Sequence, residues 1–294
     1  MNLPGKVVAG KLSFVLLPLM LLAGASVSQV RARETQPASA NTMLIAADIH
    51  FNPMFDPGLV AQLQAAEPEH WESILNGSKM KAFSQYGQDT NWWLLQSSLD
   101  QMQKTLVHPA LVMITGDSLA HRFPQTYQNI THDSDRERYR KFVLKTMKFL
   151  ALQLRKRYPE TKILVTPGNN DEDCGNYSIE AGGRFLHDTA ELVRDLAQGD
   201  DEMRGSWEDL GSFDVAHPTI PSLRIISLNT ILFSNEYHAA KFSEGCATVS
   251  SNGPDEAFNW LESRLDKAKA AHEKVWLMFH IPPGIDSYAS IQKY

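Results

Sequence analysis

A layered α/β domain is what this sequence predicts, on two observations. Short apolar runs recur without helical period, and the longer segments between them place apolar residues three and four apart. The runs are residues 43–47, 110–115, 162–166, 223–228 and 275–279, rich in Leu, Ile, Val and Met as strands buried on both faces are. A first helix is predicted from Asp89 as its cap through Trp92, Trp93, Leu95, Leu99 and Met102. A second carries Tyr139, Phe142, Val143, Met147, Leu150, Leu152 and Leu154 and ends before Pro159. A third spans residues 256–271 and turns Phe258, Leu261 and Leu265 to one face. No repeat of fixed period and no second domain interrupts the alternation.

Composition agrees. The 294 residues, 43% hydrophobic and 21% charged, are enough to bury a large core and exclude a disordered or collagen-like chain. A formal net charge of −6 argues against a protein whose task is holding nucleic acid, leaving room only for a local basic patch.

The start of the chain differs from the rest. Lys6 and Lys11 lead into an apolar run over residues 12–25, and Ala23-Gly24-Ala25 has the small-x-small pattern of a cleavage site. Residues 1–25 are therefore read as a signal peptide; the run is short for a membrane span and contains Pro18, which disfavours the alternative of a retained anchor. Residues 26–42, small and polar, read as a linker, and residues 43–294 as the domain. Export predicts a secreted or periplasmic location, where Cys174 and Cys246 either pair or stay as two thiols. Asn129-Ile130-Thr131 and Asn176-Tyr177-Ser178 fit glycosylation acceptors.

Chemistry gathers where the apolar runs stop. Residues 43–47 lead into Asp48-Ile49-His50, and strand alternation would turn Asp48 and His50 the same way. Residues 111–115 lead into Gly116-Asp117, with His121 following; residues 163–167 lead into Gly168-Asn169-Asn170-Asp171; residues 275–279 lead into His280-Ile281-Pro282-Pro283-Gly284. Four strands thus deliver Asp, Asn or His at their carboxyl ends, the usual ligand side of an α/β sheet. Such groups beside a buried sheet need compensation, and divalent cations would compensate them together, a shared Asp bridging two ions. Carboxylate with imidazole suits zinc, manganese or iron. Gly116 and Gly168 permit the tight turns and close backbone approach of such a cluster.

The ordered set Asp-x-His, Gly-Asp-x-x-x-His, Gly-Asn-x-Asp and His-Ile-Pro-Pro-Gly resembles the calcineurin-like metallophosphoesterases, and within them the acid sphingomyelinase-like phosphodiesterases. Tyr86-Gly87 with Asp89, residues 223–230, and Trp260-Leu261 leading into residues 274–284 extend the resemblance over nearly all of residues 43–285. It implies a four-layer α/β/β/α sandwich with a two-metal site at its edge, zinc being the first expectation. It implies that Asp48 and His50 bind one metal, Asp117 bridges both, and Asn169 and His280 bind the second. His121 matches the histidine that meets the scissile phosphate or protonates the leaving group. The implied reaction is in-line attack by a metal-bridging hydroxide on a phosphodiester. The substrate would be a phosphate ester such as a lipid headgroup or a nucleotide, with membrane contact at most transient. A secreted phosphomonoesterase or polyphosphatase is the alternative.

Two departures accompany the resemblance. The family commonly has His where Asn170 stands; an amide can hydrogen-bond a phosphate oxygen but cannot deliver a proton, so acid catalysis would fall to His121. Polyphosphatase-like relatives share the Gly-Asn-Asn-Asp form. The family's Gly-His-x-His motif, which supplies one further ligand to each metal, is absent from these residues, so the sandwich is expected without its last strands, and an inactive remnant is the rival reading.

Blander roles are expected elsewhere. Asp171 should orient its neighbours by hydrogen bonds rather than bind metal. His70, His108, His132, His187, His217, His238 and His272 should face solvent or bond locally. Trp92 and Trp93, with Phe83 and Tyr86, read as core aromatics before they read as a lipid-facing wall, and Lys145, Lys148, Arg155 and Lys156 as a solvated helix face up to Arg157.

Overall fold

The computed structural model describes residues 42–237 and 252–282, so the predicted signal peptide, most of the linker and Cys246 lie outside the described residues. The elements run β1 (Met43–Ala46), α1 (Val60–Ala65), α2 (Trp71–Asn76), α3 (Trp92–Thr105), β2 (Leu111–Ile114), α4 (Phe123–Thr131), α5 (Arg136–Arg157), β3 (Lys162–Val165), α6 (Arg184–Ala197), α7 (Asp201–Leu210), β4 (Phe213–Ala216), β5 (Leu223–Ser227), α8 (Gly253–Ala270) and β6 (Lys274–Met278). This is the expected α/β class, of metallophosphoesterase type. Every predicted apolar run is a strand.

Two small sheets form. One is parallel in the order β1-β2-β3, with Met43 opposite Leu111 and Leu111 opposite Lys162. The other has the order β4-β5-β6, β4 antiparallel and β6 parallel to β5. Ser227 Oγ donates to the Val165 carbonyl at 3.0 Å and Thr166 Oγ1 to the Leu228 carbonyl at 3.1 Å, joining the end of β3 to the end of β5. The two sheets therefore end side by side, which brings the loops after β1, β2, β3 and β6 to one place.

Burial on both faces holds for β2, all four residues of which are buried, but not for the edge strands. Ile45 is 60% exposed in β1 and Leu277 43% in β6. The expectation fails there because each is paired on one side only among the described residues.

Three other expectations need correction. Asp89 does not cap α3; Asn91 does, its side chain accepting from the Leu94 N–H at 3.0 Å, which frees the Asp89 carboxylate. In α8 the predicted apolar face is turned outward, Phe258 at 61% and Leu265 at 39% exposure, because the helix packs through the small residues Gly253, Ala257 and Ala268. The basic stretch of α5 is only partly solvated. Lys148 and Lys156 reach Glu69 and Glu72 across the surface, but Lys145 donates to the Gln64 and Ala66 carbonyls, Arg155 to those of Tyr158, Thr161 and Leu196, and buried Arg157 pairs with Asp100 at 2.6 Å. These side chains fasten α5 to its neighbours.

Trp92 is core, as expected, whereas Phe83 and Tyr86 are exposed. His217 bonds locally, its Nδ1 accepting from the Thr219 and Ile220 N–H groups. Phe149 of α5 is fully buried and lies within 5.6 Å, centroid to centroid, of Phe51, Trp71 and Trp92. Phe149→Ala should cost about 3–5 kcal/mol, since three rings around one hole cannot all collapse into it. Urea unfolding checks this; a loss under about 1 kcal/mol would mean that the cluster repacks.

Candidate metal centre

The site is built on four loops and begins with backbone. Gly168 and Gly116 pass so closely that a Cβ on Gly116, whose φ is +91°, would stand 2.8 Å from the Gly168 Cα. Asp171 clamps the crossing: its Oδ1 accepts from the Ser118 and Leu119 N–H groups at 2.7 and 2.9 Å, and its Oδ2 from the Gly168 N–H at 3.0 Å. This is the orienting role expected of it. Burial, with the charge of Asp117 nearby, pushes the Asp171 carboxyl up to about 6.

Asp48, His50 and Asp117 all hold left-handed backbone, with φ of 55°, 44° and 54°. Such conformations cost side-chain-bearing residues of order 1–3 kcal/mol each and persist where surrounding structure enforces them. Here the Asp48 N–H donates to the Gly116 carbonyl and the His50 N–H to that of Asp117. Asp48 and His50 do face one another, His50 Nε2 standing 3.8 Å from Asp48 Oδ1, but the left-handed turn beyond β1 brings this about, not strand alternation.

Asp117 is the centre. Its Oδ2 lies 3.4 Å from His50 Nε2 and 3.5 Å from His280 Nε2. Both rings are fixed from behind: the Nδ1 of His50 is 3.1 Å from the Leu119 carbonyl, and that of His280 is 2.8 Å from the Thr115 carbonyl. A carbonyl only accepts, so each Nδ1 carries a proton, and in the neutral ring each Nε2 keeps the lone pair that a cation would take. Asn169 Oδ1 sits 3.0 Å from His280 Nε2, its amide turned that way because its Nδ2 donates to Asn176 Oδ1 at 2.6 Å. The sequence marks Asn176 only as a glycosylation acceptor. Its part here depends on a pairing seven residues apart that no short motif signals.

Asn170 is turned inward. Its N–H and its Nδ2 donate to the two oxygens of Asp117, both at 2.9 Å. Burial opposes ionisation of Asp117, yet His280 and these two bonds hold its carboxyl below the usual range. Burial likewise opposes a charge on His280, and the Asp117 carboxylate outweighs it, raising the ring to about 9.

These donors suit divalent cations. Asp48, His50 and Asp117 present ligand atoms within 4.8 Å of one another, and Asp117 with Asn169 and His280 forms a second set sharing the same carboxylate. Imidazole nitrogens, carboxylates and an amide oxygen around one shared Asp are a donor set for two ions of the zinc, manganese or iron kind.

His121 stands beside this centre, its ring stacked on His50 at 4.0 Å and 19°, with Nδ1 2.7 Å from Asp89 Oδ1. Cys174 is disulfide-bonded. Cys246, with which the sequence leaves pairing open, lies outside the described residues.

Fold and site together define a chain of metallophosphoesterase type, with homologues among the acid sphingomyelinase-like phosphodiesterases and endopolyphosphatases. It is 30% identical to the sphingomyelinase phosphodiesterase D of Dictyostelium discoideum over 209 residues, 70% of this chain and 41% of that protein. It is 25% identical to the mouse acid sphingomyelinase-like phosphodiesterase 3b over 81% of this chain and 47% of that one. To the endopolyphosphatase of Schizosaccharomyces pombe it is 30% identical over 54% of this chain and 27% of that one. The chain thus spans less than half the length of each of these relatives. No family model matches it. Among the described residues no helix is long and apolar enough to cross a membrane.

Proposed function

We propose that the chain is an exported, metal-dependent phosphoesterase that hydrolyses a phosphodiester. The observation that carries this is Asp117 Oδ2, set between two histidine Nε2 atoms whose Nδ1 protons are held by backbone carbonyls. Asp48 and His50 would hold one cation, Asn169 and His280 a second, and Asp117 both. Bound cations would supply charge stabilisation for the phosphoryl oxygens and lower the pKa of a water. The chain's own part is to aim each Nε2 into the site, where a cation would displace any proton it carries, and to place His121 beside them as proton donor. Asn170 supports Asp117 in this reading.

Similarity to an endopolyphosphatase favours a second reading, hydrolysis of a polyphosphate or phosphomonoester. Metal stoichiometry by mass spectrometry, with hydrolysis of bis(4-nitrophenyl) phosphate and of 4-nitrophenyl phosphate recorded on the same purified chain, tests both. About two metals per chain, with diester turnover abolished by chelation, is the expected result. Turnover of the monoester alone would select the second reading. A folded chain that takes up no metal would reduce the site to inherited scaffold.

A further inference from the structure

Asp89 is the acidic residue at this site to which neither a metal-ligand motif nor a helix cap gives a role. One carboxylate oxygen, Oδ1, stands 2.7 Å from His121 Nδ1 and also accepts, at 3.4 Å, from the His121 backbone N–H. It therefore fixes ring and loop at once. A metal held between the two is excluded by distance: two ligand atoms bonded to one zinc at about 2.0–2.1 Å in tetrahedral geometry lie roughly 3.4 Å apart. At 2.7 Å the contact is a hydrogen bond, charge-assisted through the carboxylate.

The carboxylate is itself anchored to the metal-site backbone. The Thr90 N–H donates to the His50 carbonyl at 2.9 Å, the Asn52 N–H to the Thr90 carbonyl at 2.8 Å, and Phe51, fully buried, bridges to both Thr90 and Leu119. Segments 50–52, 89–90 and 119–121 are thus laced side by side. The His121 side chain is 60% exposed, whereas that of Asp89 is 21% exposed. Left alone, so exposed an imidazole would sample several rotamers and both tautomers.

We propose that Asp89 is the positioning residue for His121: by accepting a hydrogen bond from the Nδ1–H it locks the ring against His50 with Nε2 as the atom offered to substrate. The inference rests on the phosphoesterase reading for its consequence, though not for its geometry. In that reaction the oxygen of a water forms the new bond to phosphorus, the bond to the leaving oxygen breaks, and Nε2 hands its proton to that oxygen. The proton lost by the water restores the ring. Asp89 accepts from Nδ1 throughout and remains ionised, as the carboxylate of a Ser-His-Asp triad does.

The test uses Asp89→Asn and Asp89→Ala in the full chain, with aryl phosphodiesters whose leaving groups range from 4-nitrophenol to phenol. An asparagine can offer its NH₂ to Nδ1 and so invert the tautomer. Proton donation matters little to a good leaving group and greatly to a poor one. In both variants kcat should fall about 10²-fold on the phenyl ester and less than about threefold on the 4-nitrophenyl ester, with metal content unchanged. Equal losses on all esters, or none, would overturn the proposal. The ¹⁵N imidazole spectrum of His121 provides a readout without turnover. A protonated Nδ1 with bare Nε2 at alkaline pH, lost in Asp89→Asn, supports the lock; a tautomer unchanged by the substitution overturns it. A wild-type chain that hydrolyses none of the esters yet shows the locked tautomer would sink the phosphoesterase reading and leave the positioning role standing.

Discussion

Asp117→Ala should leave the chain without metal and lower any phosphoester hydrolysis by more than about 10²-fold, the upper end of what the loss of a mere supporting partner costs. The reason is that one carboxylate serves two ligand sets. Its Oδ2 is the common neighbour of His50 and His280, 3.4 and 3.5 Å away, and no other described carboxylate stands between them. Mass spectrometry of the purified variant checks the first part, and full metal content in it would end the assignment. A second readout needs no metal. In the metal-free chain His280 is raised to about 9 against its burial, chiefly by Asp117. A raised folded-state pKa contributes stability that is complete below the unfolded value, near 6.5, and fades as pH rises through about 9. The metal-free wild type should therefore lose stability across that window, and Asp117→Ala should lose much of this dependence because burial then favours the neutral ring. Bound metal should also flatten the profile, since a ligating Nε2 carries no proton.

Much of the fold is legible because buried strands advertise themselves: residues 111–114 are an apolar run that only a sheet interior explains. The edge strands look the same in sequence, and nothing local says that Ile45 or Leu277 faces outward. The strand Phe213–Ala216 gives no such signal because Asp214 interrupts so short a run, and Asp214 is there to meet Arg224 at 2.6 Å. The buried face of α8 is illegible for a related reason, since a helix that packs through Ala257 and Ala268 hides its contact side among small residues. At the site, the residue types at the strand ends point to a candidate cation centre by their chemistry alone. Supporting contacts between loops carry no comparable signal. The Asp89–His121 bond spans 32 residues and depends on the crossing of the segments after β1 and β2. Locally Asp89 has the look of a helix cap, a role that Asn91 two positions later performs. Pairs of this kind belong to the assembled loops and to no single segment, which is why motif spacing finds ligands more readily than it finds what orients them.

Gly168→Ala should be the most damaging change that touches no candidate ligand. The backbone at Gly168 does not need a left-handed φ, so conformational freedom is not what reserves the position for glycine. Space is. A Cβ there would collide with the backbone N and the Oδ1 of Asp117 and stand 2.7 Å from its Cα. Nor can either loop simply withdraw. Asp171 ties the Gly168 N–H to the Ser118 and Leu119 N–H groups through one carboxylate, and the Asn170 N–H holds the same Asp117 Oδ1 from the other side. Relief must come from shifting the Asp117 carboxylate off the line between His50 and His280. Overpacking of this kind costs about 1–3 kcal/mol in stability. The larger effect should be on function, since a displacement near 1 Å of a reacting constellation costs about 10²-fold in rate. Metal content, kcat and unfolding midpoint measured together separate the two. Gly205→Ala is the control: it lies inside α7, away from the site, and nothing stands within 4 Å of the added methyl group. It should stabilise the chain by roughly 0.5–1 kcal/mol and leave hydrolysis alone. Retention of full metal and full rate by Gly168→Ala would show that the loops have slack, and that the close passage of Gly116 and Gly168 is not what places Asp117.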